Sequence, residues 1–83
     1  MSEIAYGRLR NLSAREIIGA LFHDGFHLAR HRGSHQRYMH RDGRRVTVTF
    51  HSFGQTFPRK TLKSMIETQA RWVKKDLERL GVL

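Results

Sequence analysis

Two histidines on either side of a hairpin signature carry the chemistry that this chain offers. The stretch Gly33-Ser34-His35-Gln36-Arg37-Tyr38 sets one imidazole at the start of a strand. After the turn signal Asp42-Gly43, the run Val46-Thr47-Val48-Thr49-Phe50-His51 brings a second one back towards it. An unperturbed imidazole titrates at ~6.5, close to working pH, so histidine serves as proton donor or acceptor. With Arg37 beside them, these residues are the parts needed to cleave RNA. A base takes the proton of the ribose 2′-hydroxyl, an acid protonates the leaving 5′-oxygen, and positive charge rests on the phosphate. DNA lacks the 2′-hydroxyl and resists this route. The plainer reading of His35 is a surface residue that fills space or contacts phosphate.

Two other chemistries compete. His23, His27, His31 and His35 recur every four residues, a spacing that would align ligands along one helix. Gly25 and Gly33 interrupt the run and its middle reads as strand, so that alignment fails. Zinc sites also commonly use cysteine or carboxylate, and the chain has no cysteine. A nucleophilic Ser34 would need a base and an oxyanion hole, and nothing else points to them.

The elements that position these residues follow from local signals. Ser13-Ala14-Arg15-Glu16 is a capping box, and Ile17, Ile18, Leu21 and Phe22 follow at helical spacing. With Gly25 as the stop, the first helix runs from about Ala14 to Asp24. Phe26 and Leu28 alternate with His27 and Ala29 as a short strand, and Arg30 to Ser34 reads as a connection. The second strand spans His35 to His40 and the third Arg44 to His51.

Register decides which side chains face outwards. A two-residue Asp42-Gly43 turn would mix valines with Arg37 on one face. A three-residue loop, Arg41-Asp42-Gly43, pairs Tyr38 with Val46 and Gln36 with Val48. One face then holds Tyr38, Val46, Val48 and Phe50, and the other holds His35, Arg37, Met39, Thr47, Thr49 and His51. The cleaner segregation selects the longer loop. It sets His35 opposite Thr49 and diagonal to His51, at ~7–8 Å between backbones. Arg37 shares that face, and His27 could reach it from the first strand. Beyond Pro58, the residues Leu62, Ile66, Ala70, Val73, Leu77 and Leu80 mark one apolar stripe, which predicts a single helix to about Leu80. Phe22 and Trp72 read as packing residues. Phe53 and Phe57 either cap the core edge or face a partner. The fold class is therefore α+β, in the order α-β-β-β-α, with a three-stranded antiparallel sheet and both helices on one face.

Eighty-three residues make one domain at most. Residues 1–11 show no periodicity and are expected to form a flexible arm ahead of a single domain over 12–83. Sixteen Lys and Arg against seven Asp and Glu leave a net charge of +9. On so small a body that field attracts phosphate backbones or other acidic partners. The basic residues are not confined to one face of an amphipathic helix, so a membrane surface is disfavoured. No signal-peptide pattern or bilayer-length apolar run stands out, and a cytoplasmic protein is the default expectation.

Together these residues resemble the HicA-type toxins (YcfA-like proteins) of bacterial and archaeal toxin–antitoxin systems. The resemblance rests on Asp24-Gly25-Phe26, Gly33-Ser34-His35 with Tyr38 three residues on, Asp42-Gly43-Arg44, the Val46–Val48 strand leading to His51, and Thr61-Leu62 followed by Ile66. It covers roughly Ser13 to Leu77. It implies a fold similar to double-stranded-RNA-binding domains and a ribosome-independent endonuclease acting on mRNA. The family's functional histidine carries onto His35, no metal or other cofactor is implied, and the expected partner is a HicB-type antitoxin. Two departures stand out. Phe50 occupies the place of a proline that often precedes the histidine after the third strand, and Arg71-Trp72 stand where the family commonly breaks its C-terminal segment with glycine.

On this reading His35 is the general acid or base and His51 a candidate second proton carrier. Arg32, Gly33, Ser34, Arg37 and Lys60 are the candidate contacts to single-stranded RNA. A non-catalytic RNA-binding module using the same basic face is the alternative.

Overall fold

Ser13 opens the first helix as its pattern predicts. The Ser13 hydroxyl accepts the Glu16 N–H at 3.3 Å, and the Glu16 carboxylate accepts the Ser13 N–H at 3.0 Å. The computed structural model describes residues 4–83 and continues from this cap into α1, Ala14–His23. Ile17, Ile18 and Leu21 are buried. Phe22 lies at the rim, 54% exposed, with its ring edge-on to Tyr38 at 5.6 Å between centroids.

Three antiparallel strands follow in the order β1 (His27–Arg32), β2 (His35–Met39) and β3 (Arg45–Thr49). The β2–β3 register is the one that segregates the faces: His35 pairs with Thr49, Gln36 with Val48 and Tyr38 with Val46. Its loop is closed by the Gly43 N–H donating to the His40 carbonyl (2.9 Å), with Gly43 left-handed at φ +99°. The first hairpin differs from expectation. β1 runs through Arg32, and the connection shrinks to Gly33-Ser34. Gly33 takes φ +58° while Ser34 does not turn positive, the glycine-first pattern of a tight type II′ turn.

The C-terminal segment is two helical pieces, not one long helix. α2 (Arg59–Lys63) runs directly into a π-helical stretch, Ser64–Gln69, and α3 (Lys74–Arg79) follows after a break. At the break Arg71 stands at φ +58°, the conformation in which a glycine sits without strain. A continuous helix would face Val73 inwards. Instead Val73 is 60% exposed and Trp72 only 2%. Left-handed backbone costs a non-glycine residue ~1–2 kcal/mol, whereas full burial of one large apolar side chain yields ~1.5–3 kcal/mol. Seating Trp72 and Leu77 in the core therefore outweighs the strain at Arg71.

The core joins Tyr38, Val46 and Val48 from one sheet face to Ile17 and Leu21 of α1 and to Leu62, Ile66 and Leu77 from the C-terminal helices. The expected loose arm over 1–11 is corrected where it is described. Ile4, Tyr6 and Leu9 are buried, a 3-10 turn spans Tyr6–Arg8, and the Tyr6 hydroxyl donates to the Glu67 carboxylate. Three apolar anchors in eight residues outweigh the lack of periodicity. Residues 1–3 of that expected arm lie outside the described residues.

Candidate nucleic-acid interface

Alternation along β2 and β3 puts His35, Arg37, Thr47 and Thr49 on the sheet face opposite the core, and all four are exposed. β1 joins them through an irregularity. Leu28 pairs with Tyr38 on the core side, yet Arg30 pairs with Arg37, so Ala29 is an extra residue in the ladder. Such a bulge resets the alternation by one residue. Without it Arg30 and Arg32 would point to the core side; with it both lie on the open face, and Arg32 pairs with His35.

These side chains line a hollow of about 310 Å3 formed by Arg30, Arg32, His35, Arg37 and Thr47. Its electrostatics are one-sided. No strand contains an Asp or Glu. Among the described residues the ion pairs of Arg44 and Arg79 engage Asp24, Asp42 and Asp76, while Arg30, Arg32 and Arg37 form none. Unpaired guanidiniums with fork-shaped donor sets suit phosphate oxygens.

His35 Nδ1 lies 3.0 Å from the Thr49 hydroxyl. Because threonine both donates and accepts, it supports either tautomer. If Thr49 donates to Nδ1, Nε2 carries a proton to give. If Nδ1–H donates to Thr49, Nε2 has a lone pair free to take one. The arrangement thus fits both halves of an acid–base cycle.

A second hollow, about 300 Å3, adjoins the first across β3 and is lined by Thr47, Thr49, Lys60, Thr61, Ser64, Met65 and Gln69. Lys60 therefore lies beside the His35 hollow, not in it. Gly33 and Ser34 line neither and act as the turn. The Gly33 carbonyl accepts from His31 Nε2 at 3.0 Å, and the Ser34 carbonyl accepts the Phe50 N–H at 3.0 Å. A proline at position 50 could not make the latter bond. The departure at Phe50 thus extends the pairing beside His35 by one step.

His51 is exposed just beyond β3, lines neither hollow, and donates its backbone N–H to Gln55 Oε1 at 2.9 Å. His27 shares the open face through its pairing with Met39, but lies four residues along β2 from His35, ~13 Å at the rise of a strand. Arg30 and Thr47 are the lining residues that the candidate set lacks. The signal for Arg30 is the Gly33-Ser34 dipeptide, which as a two-residue turn ends β1 at Arg32 and draws Arg30 onto the sheet. Among the described residues no three His, Asp or Glu side chains cluster in a way that could hold a metal ion, and no helix is long and apolar enough to cross a membrane.

The chain matches a family model described as the HicA toxin of bacterial toxin–antitoxin systems over residues 14–72. That span runs from the first helical residue to the buried tryptophan and takes in both hollows. No curated protein matches the chain.

Proposed function

The chain belongs to the HicA family of toxins from bacterial toxin–antitoxin systems, and from that membership we propose that it is an endoribonuclease acting on mRNA without a metal. The observation that carries this reading is His35 on the wall of a hollow shared with the unpaired Arg30, Arg32 and Arg37. The arginines hold the scissile phosphate and offset its growing charge. A base takes the 2′-hydroxyl proton, O2′ bonds to phosphorus, the bond from phosphorus to O5′ breaks, and an acid protonates O5′. The products are a 2′,3′-cyclic phosphate and a free 5′-hydroxyl. His35 serves one of the two proton transfers through Nε2, with Thr49 holding the ring. His51, two residues past Thr49, is the candidate for the other. A HicB-type antitoxin that covers this face is the expected protein partner.

Proton transfer by a positioned side chain contributes ~10²–10⁴-fold. His35→Ala should therefore lower cleavage of a labelled single-stranded RNA by at least about a hundredfold, with the circular dichroism spectrum unchanged. An undiminished rate in that variant rejects the assignment. The same assay run with chelator separates the alternatives. Binding without cleavage indicates a non-catalytic RNA-binding module, and chelator-sensitive cleavage indicates a metal-dependent route.

A further inference from the structure

The second hollow has features that the cleavage chemistry does not use. Its wall is the π-helical stretch Ser64–Gln69, bonded Ala70 N–H to Met65 carbonyl at 2.9 Å. In an α-helix, residues five apart lie ~140° around the axis from each other. The wider π turn brings Ser64 and Gln69 together instead, and Gln69 Nε2 donates to Ser64 Oγ at 3.1 Å. The other end of the Gln69 amide accepts the Thr47 N–H at 2.8 Å. Gln69 is thereby held at both ends. Its second amide hydrogen and the Ser64 hydroxyl hydrogen have no protein acceptor among the described residues.

The Gln69 bond also caps a backbone donor on the outer edge of β3, where an added strand would otherwise pair. Lys60, which lines the hollow, forms no ion pair among the described residues. Met65, almost wholly buried, supplies an apolar surface. Thr49 touches both sites, binding His35 and lining the second hollow.

We propose that this hollow is a nucleotide subsite, taking the ribonucleotide next to the scissile phosphate. Lys60 meets its phosphate, and the Thr61 and Ser64 hydroxyls with the Gln69 amide meet its ribose 2′-hydroxyl and base edge. The proposal rests on the endoribonuclease reading for the direction of the strand, but its test is one of binding. The hollow borders β3, which lies one strand over from Arg37, ~4.8 Å in the hydrogen-bonding direction, and two strands over from Arg30 and Arg32. A strand laid across β3 thus enters it directly. The hydroxyl-rich lining suits RNA, because the 2′-hydroxyl both donates and accepts.

The experiment measures fluorescence anisotropy of a labelled RNA tetranucleotide and its all-deoxy counterpart on full-length His35→Ala protein, which keeps the RNA intact. Lys60→Gln should weaken RNA binding and lower the slope of log Kd against log salt by ~0.7. The double change Thr61→Val with Ser64→Ala should weaken RNA about fivefold while leaving the deoxy strand little affected, so that the RNA preference narrows. Lys75→Gln on α3 is the control for charge alone. Unchanged RNA affinity in the Lys60 and Thr61/Ser64 variants overturns the subsite, even if Arg30 and Arg32 variants bind poorly. An equal loss for RNA and DNA in the double variant overturns the ribose contact. Cleavage that persists in His35→Ala sinks the nuclease reading instead and is scored separately from binding.

Discussion

Among the described residues the imidazole of His35 has one side-chain hydrogen-bond partner, the Thr49 hydroxyl. One such hydrogen bond contributes ~0.5–1.5 kcal/mol. Since ~1.4 kcal/mol is tenfold in rate, Thr49→Val should lower kcat by up to about tenfold. Valine keeps the shape and strand preference of threonine, so stability should hold. Thr49→Ser, which restores the hydroxyl, should recover most of the activity. If Thr49 acted only through packing, valine would be tolerated better than serine, so the order of the two variants decides the role. At this scale the site was partly legible. Alternation and loop length alone set His35 opposite Thr49 and beside Arg37. Arg30 is missed when Arg30 to Ser34 is read as a connection; a two-residue Gly33-Ser34 turn sets it opposite Arg37, and what leaves no mark in the local pattern is the bulge at Ala29, which returns Leu28 to the core side.

At the scale of elements, the C-terminal segment shows where periodicity misleads. Apolar residues at steps of three and four describe a helix equally well whether it continues or restarts, and no proline or glycine stands at the junction. The break is dictated from outside the segment. The Trp72 indole N–H donates to Asp24 Oδ2 at 2.9 Å, and the Ala70 carbonyl accepts from Arg44 Nη1 at 2.8 Å. Tertiary partners thus end the helix at a residue with no propensity to end it. By contrast α1, whose Ser13 cap and Glu16 reply lie within four residues, was readable from end to end. The strain at Arg71 is testable. Glycine removes the left-handed penalty but also loosens the unfolded chain by ~0.4–1 kcal/mol, so Arg71→Gly should stabilise by up to about 1 kcal/mol. Arg71→Val, with a branched side chain in the same conformation, should destabilise by at least ~1 kcal/mol. Urea midpoints of the two variants on either side of wild type would bear this out; a stable valine variant would contradict it.

For the molecule as a whole, the ion pairs of Arg44 and Arg79 gather around Asp24. Its carboxylate, 9% exposed, accepts from Trp72 and Arg44 on Oδ2 and from Arg79 on Oδ1, while its carbonyl accepts from His40 Nε2 at 2.9 Å. One residue at the end of α1 therefore ties the β2–β3 hairpin and α3 to the same point. That leaves the sheet's outer face with arginines and no acid, a self-repelling distribution that this anchored cluster must offset. Burial pushes the Asp24 carboxyl up, but the hydrogen bonds from Trp72, Arg79 and Arg44, with the Arg44 charge, outweigh it and hold the group below its ordinary value. The sign of the pH effect follows. The folded chain binds a proton at Asp24 less readily than the unfolded chain, whose carboxyl titrates at ~3.9, so its contribution is complete above that pH. It is lost as pH falls through the lower, folded value. Hydrogen bonds to a charged group contribute ~1.5–3 kcal/mol, so Asp24→Asn should cost about 2–3 kcal/mol at neutral pH. The gap to wild type should narrow below pH ~4 as the carboxylate is neutralised in both states. Thermal unfolding of the two proteins across that range decides the matter: a gap that stays constant with pH would mean that Asp24 acts by shape alone and that its charge does not hold the fold together.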